Sequence, residues 1–161
     1  MARAPWLRFL SSLATQLTGQ EQEVAADRFP KPRIVLADAN QRMREAVARV
    51  LKTECEVEVV GCALDGAGAV DAAIGLQPDI LILGIIMPGL DGIRVARMLR
   101  RVDSPTRIIF LTGIEDSSFQ QAAMEAGGQA YVFKSQLFTD LPRAITALMT
   151  GARFLSSKGK L

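Results

Sequence analysis

Three side chains able to hold charge or donate a hydrogen bond stand directly after short apolar runs. The carboxylate of Asp38 closes Arg33–Ala37, the hydroxyl of Thr112 follows Ile108–Leu111, and the ammonium of Lys134 follows Ala130–Phe133. A fourth run, Ile80–Leu83, is followed by Gly84, which brings no side chain at all. A carboxylate and an ammonium can neutralise each other or a ligand, and a hydroxyl can serve an anion. The chain has no histidine. That removes an imidazole base, a Ser-His-Asp triad and a His-liganded metal. Cys55 and Cys62 lack the spacing of a metal site or a disulfide framework, and are expected as reduced, mostly buried thiols near the ends of one strand. A small α/β enzyme built on either thiol without a histidine is the weakest of the function classes considered.

The elements that must position these groups are legible as period. From Arg33 onward strand and helix patterns alternate five times. Met43, Ala46, Val47, Val50 and Leu51 stripe a first helix, and Val57, Val59 and Val60 mark a second strand. An alanine-rich helix surrounds Val70–Ile74, with Gly66 and Gly68 ahead of it and no dinucleotide fingerprint. Ile93, Ala96 and Leu99 stripe the third helix, with Asp91 as its cap. A weaker fourth helix, Phe119–Ala126, ends at Gly127-Gly128. Asp140 and Pro142 suit the start of the last helix and Gly151 its stop. The methionines read as core filler. Apolar strands between amphipathic helices predict an α/β fold, a doubly wound five-stranded parallel sheet covered on both faces. Ligands on such sheets gather at the carboxyl ends of the strands, where Asp38, Gly84, Thr112 and Lys134 all fall.

Composition bounds the rest. A chain of 161 residues with 49% hydrophobic residues is long and apolar enough for one packed domain. A net charge of +2, spread over scattered lysines and arginines, gives no dense basic face for nucleic acid, and no nucleic-acid partner is expected. No apolar run approaches the roughly 20 residues of a membrane span. A cytoplasmic location is therefore expected.

Around these residues the chain resembles the receiver domain of two-component response regulators, a flavodoxin-like (βα)5 fold, over residues 33–150. The resemblance rests on Ala37-Asp38-Ala39-Asn40, on Pro78–Leu83 with Gly84 and Met87-Pro88-Gly89-Leu90-Asp91-Gly92, on Phe110-Leu111-Thr112-Gly113 and on Tyr131-Val132-Phe133-Lys134. In that family the first strand ends in two acids, the Gly84 position is the aspartate that takes a phosphoryl group, and the Tyr131 position is the switch aromatic. Here Asp38, Thr112 and Lys134 are kept, while Ala39 and Gly84 replace the other two acids. Glycine cannot be a nucleophile. By the family's logic the two lost acids are those that touch magnesium directly, so the resemblance implies weak or absent magnesium binding through Asp38 and no metal cofactor. A Lys134–Asp38 ion pair filling the space is the expected state of the degenerate pocket. The bland roles are a loop-backbone partner for Thr112 and a packed ring for Tyr131.

What the resemblance implies is a non-enzymatic, stand-alone degenerate receiver that acts by phosphorylation-independent protein–protein contact. The alternative is phosphorylation at another acceptor, Asp38 or Thr112. Partners implied are a histidine kinase, another response regulator, or a second copy through the face of helix four, strand five and helix five (about Phe119–Gly127, Gln129–Phe133 and Leu141–Thr150). Residues 1–32 form an extension in which Trp6, Phe9, Leu10, Leu13 and Leu17 recur at helical spacing, followed by a polar stretch, Thr18–Asp27, that leads to a linker at Pro30-Lys31-Pro32. The extension suits a frayed tail or a helix capping its own domain before it suits a docking helix for a partner, with membrane contact a remoter role. Residues 151–161 resemble a truncated linker to a helix-turn-helix output domain, for which too few residues remain.

Overall fold

The computed structural model describes residues 30–158. The expectation of an amphipathic helix over Trp6–Leu17 lies outside those residues. Within them the alternation predicted from sequence is found: β1 (Arg33–Ala37), α1 (Gln41–Glu54), β2 (Glu58–Ala63), α2 (Gly66–Leu76), β3 (Ile80–Leu83), α3 (Gly92–Arg101), β4 (Arg107–Thr112), α4 (Ser117–Glu125), β5 (Ala130–Phe133) and α5 (Leu137–Met149). A two-residue strand, β6 (Phe154–Leu155), follows and was not expected.

All strands are parallel, in the order β2-β1-β3-β4-β5-β6. The chain reverses direction of travel across the sheet after β2, so β1 and β3 lie side by side and their carboxyl ends flank a crevice. β1 and β3 bury every residue from Ile34 to Ala37 and from Ile80 to Leu83, which is why they read as unbroken apolar runs rather than alternation. One face of the sheet packs Ile34, Leu36, Ile82, Ile109 and Val132 against Val47, Val50 and Leu51 of α1 and Leu141, Ile145 and Leu148 of α5. The other packs Val35, Leu81, Leu83 and Phe110 against α2, α3 and α4.

Helix starts follow local chemistry. Asn40, Asp65, Asp91 and Asp116 each accept a backbone N–H of the first turn, from Met43, Gly68, Arg94 and Ser118. The cap expected at Asp91 is therefore present. Gly66 and Gly68 lie inside the first turn of α2 rather than ahead of it. A Cβ on Gly66 would sit 1.9 Å from the Leu90 carbonyl, so this glycine serves close packing between α2 and the loop before α3. Gly127 and Gly151 end α4 and α5 at φ +119° and +81°.

Four expectations need correction. α5 starts at Leu137, after a 3₁₀ turn at Lys134–Gln136, so Asp140 and Pro142 lie within its first turns rather than before them. Cys55 caps α1 and lies outside β2, and Cys62 is exposed. Met98 and Met149 are at the surface, at 41% and 36% exposure, because they lie on the outward sides of α3 and α5. The sheet does not stop at residue 150, since β6 pairs with β5 through Ala130–Phe154 and Tyr131–Leu155.

Candidate functional site

Parallel pairing delivers the four predicted positions to one edge. Ala37 pairs with Leu83, Leu83 with Phe110, and Thr112 with Phe133. Asp38, Gly84, Thr112 and Lys134 therefore emerge together at or just beyond the carboxyl ends of β1, β3, β4 and β5. Ala39 follows Asp38 as an exposed loop residue and adds no polar group to the cluster.

Asp38 is the centre of the cluster and is only 8% exposed. Its Oδ2 lies 2.9 Å from Lys134 Nζ, and its Oδ1 accepts the Asn40 N–H at 2.8 Å. Both carboxylate oxygens are thus engaged, one by a full positive charge. The space that makes this contact available is the missing side chain at Gly84. A Cβ built there would lie 3.2 Å from Asp38 Oδ2 and 3.5 Å from the Ala37 carbonyl. The acid of β1 thus occupies room that an acceptor side chain would enter, and reaches across it to the lysine of β5.

The surroundings complete this arrangement. Arg44 Nη1 donates to the Asp38 carbonyl at 2.6 Å, tying α1 to the end of β1. Sequence reasoning missed this residue. Its signal is a cation one turn into the helix that follows the acid. A void of about 10 Å³, room for about one water, lies among Leu36, Asp38, Arg44, Val47 and Gly84. Thr112 is 3% exposed, and its Oγ1 accepts the Ile114 N–H at 3.1 Å, the loop-backbone role. Tyr131 is fully buried, and its hydroxyl donates to the Ile114 carbonyl at 2.8 Å. Its ring packs edge-on to Phe133 at 5.9 Å. Burial, with a smaller push from the Asp116 charge, raises the Tyr131 pKa to about 12. Thr112 and Tyr131 thus converge on one residue, Ile114, in the loop between β4 and α4.

The groups at this edge do not fit magnesium. A hard divalent ion needs several oxygen ligands. Here one carboxylate is offered with both oxygens committed, and an ammonium stands beside it. No set of three or more metal-ligating side chains comes together among the described residues. Cys55 is no better as a nucleophile, because burial and the neighbouring Glu54 push its thiol up to about 12.

The face expected to meet partners differs in character from its sequence outline. Ala130–Phe133 are all buried and β6 takes the outer edge of β5, so this strand offers no free edge. Exposed apolar groups in that region come from α4, α5 and β6 instead: Phe119 at 43%, Phe138 at 68% and Leu155 at 51%.

Comparison with known proteins agrees with this geometry. The family model described as response regulator receiver domain matches residues 34–146. The transcriptional regulatory protein LiaR of Bacillus subtilis is 32% identical over 78% of this chain and 60% of its own length. The transcriptional regulatory protein DesR of the same organism is 35% identical over 74% of this chain and 59% of its own length. The chain thus spans about three-fifths of these curated relatives. Among solved structures, the signal receiver domain of the response regulator NarL from Mycobacterium tuberculosis superposes with a TM-score of 0.73 at 31% identity, covering 76% of this chain and 99% of that one. The relatives are named as transcriptional regulators, which is at odds with the expectation of no nucleic-acid partner. No helix among the described residues is long and apolar enough to cross a membrane.

Proposed function

We propose that this chain, which belongs to the response regulator receiver domain family, works in two-component signalling as a receiver whose state is set by the proteins it binds rather than by phosphorylation. The observation that carries this reading is the Asp38–Lys134 pair across Gly84. The pair joins the ends of β1 and β5 directly, and it leaves no acceptor carboxylate free at this edge. A partner acts by binding one conformation better than another, and the difference in affinity is all the regulation it can exert. The partners of this reading are a histidine kinase, another response regulator or a second copy, meeting the surface of α4, α5 and β6. In this reading the protein is a signalling protein rather than an enzyme and works in the cytoplasm.

Incubation with acetyl phosphate and magnesium followed by intact-mass measurement tests this. No phosphoryl adduct is expected, whereas an adduct mapped to Asp38 or Thr112 would establish the non-standard acceptor instead. The double substitution Ala39→Asp with Gly84→Asp supplies the complementary result, gaining magnesium binding measurable by titration calorimetry. Tight magnesium binding by the unaltered chain would contradict the reading.

A further inference from the structure

Away from the carboxyl edge, the densest unbalanced positive charge lies on α3. Its ten residues include Arg94, Arg97, Arg100 and Arg101 and no acid. All four are exposed, and no carboxylate of the described residues comes within salt-bridge distance of them. Between α3 and α4, at the amino end of the sheet, lies a cleft of about 590 Å³. Leu99, Ile108 and Met124 give it apolar walls, and Arg100 and Arg153 stand at its border. Glu125 also borders it, but Arg100 Nη1 donates to the Glu125 backbone carbonyl, not to its carboxylate. Apolar walls beside two unneutralised guanidinium groups suit an aliphatic side chain flanked by carboxylates.

The chain contains such a segment in Glu21-Gln22-Glu23-Val24-Ala25-Ala26-Asp27, outside the described residues. The described chain begins at Pro30, and it begins at the same end of the sheet as the cleft. Arg33 N donates to Asp79 Oδ2, and Thr106, which borders the cleft, donates to the Pro78 carbonyl. Only β3 separates β1 from β4, so the two strand starts lie about 10 Å apart. An extended chain covers about 3.3–3.6 Å per residue, so Asp27 can reach about 10 Å from Pro30 and Glu21 about 30 Å.

We propose that the cleft between α3 and α4 is the docking site of the chain's own stretch Glu21–Asp27, with Val24 on the apolar walls and the carboxylates against Arg100 and Arg153. Nucleic acid is the poorer occupant because this strip is only four arginines long and is flanked by acids. Asp65 and Asp71 stand on one side of α3 and Glu115, Asp116 and Glu125 on the other, and the net charge is only +2. Docking there would hold the extension beside α4, at the opposite end of the sheet from the Asp38–Lys134 pair.

Arginine modification by phenylglyoxal, read residue by residue by mass spectrometry on the full chain, tests this directly. Arg100 and Arg153 should react several-fold more slowly in the natural chain than in the Glu21→Gln, Glu23→Gln, Asp27→Asn variant. The difference should vanish at about 0.5 M salt, while exposed Arg42 on α1 reacts equally in both. Equal rates at Arg100 and Arg153 would overturn the proposal. Protection that grows with protein concentration would also overturn it, by assigning the acidic stretch of a second copy to the cleft.

Discussion

A carboxylate drawn this far out of water needs a positive partner, and Lys134 supplies it at 2.9 Å from Asp38. The pair is unequal, because the lysine side chain keeps 29% of its exposure and the aspartate 12%. Lys134→Met should therefore cost about 1–3 kcal/mol, less than the loss of a partner from a fully buried pair. Chemical denaturation at neutral pH measures this, and Asp38→Asn in the same background should recover part of the loss by removing the stranded charge. The converse change crowds the site. Gly84→Asp alone would place a Cβ 3.2 Å from Asp38 Oδ2 and so add a second carboxylate beside the first. Without metal it should lower stability, by about 1–3 kcal/mol, and the Ala39→Asp, Gly84→Asp protein should regain stability on adding magnesium. A melting temperature insensitive to magnesium in that double variant would show that a third acid does not rebuild the site.

At the scale of the element, the least expected feature is the end of the sheet. Phe154 and Leu155 are held by more than backbone pairing. Ser156 is 5% exposed, donates to Asp140 Oδ2 at 2.6 Å and accepts the Phe133 N–H at 3.2 Å. The Arg143 guanidinium lies 5.4 Å from the Phe154 ring centroid. Asp140 is thus spent on the tail rather than on starting α5, which explains why its capping signature misleads. Ser156→Ala leaves a buried carboxylate oxygen and an amide without partners and should cost about 1–3 kcal/mol. Hydrogen exchange at the Phe133 amide should accelerate in that variant while exchange in β1 and β3 tracks only the global loss. The strand escapes sequence reading because two residues carry no period. By contrast, β1, β3 and the stripes of α1, α3 and α5 repeat often enough to be read directly.

Across the whole molecule, one buried and one partly buried acid of high pKa couple stability to alkali. Tyr131 and Cys55 each hold their proton to about 12 in the folded chain, against ordinary values of 10.0 and 9.0. Between those limits the unfolded chain releases the protons first, so it binds fewer protons than the native state. Stability should be unaffected by these groups below about pH 9 and fall as pH rises toward 12. Tyr131→Phe should flatten that decline in denaturation curves taken across the range, and an unchanged slope would show that the tyrosine ionises alike in both states. The sequence by itself determined the doubly wound sheet, the four positions at its carboxyl edge and the loss of two acids there, because period and residue type are local properties of the chain. Only the tertiary structure decided that Arg44 braces Asp38, that Thr112 and Tyr131 converge on Ile114 and that a sixth strand joins the sheet. Those outcomes depend on which side chains from distant segments compete for the same few ångströms, and no local pattern encodes that competition.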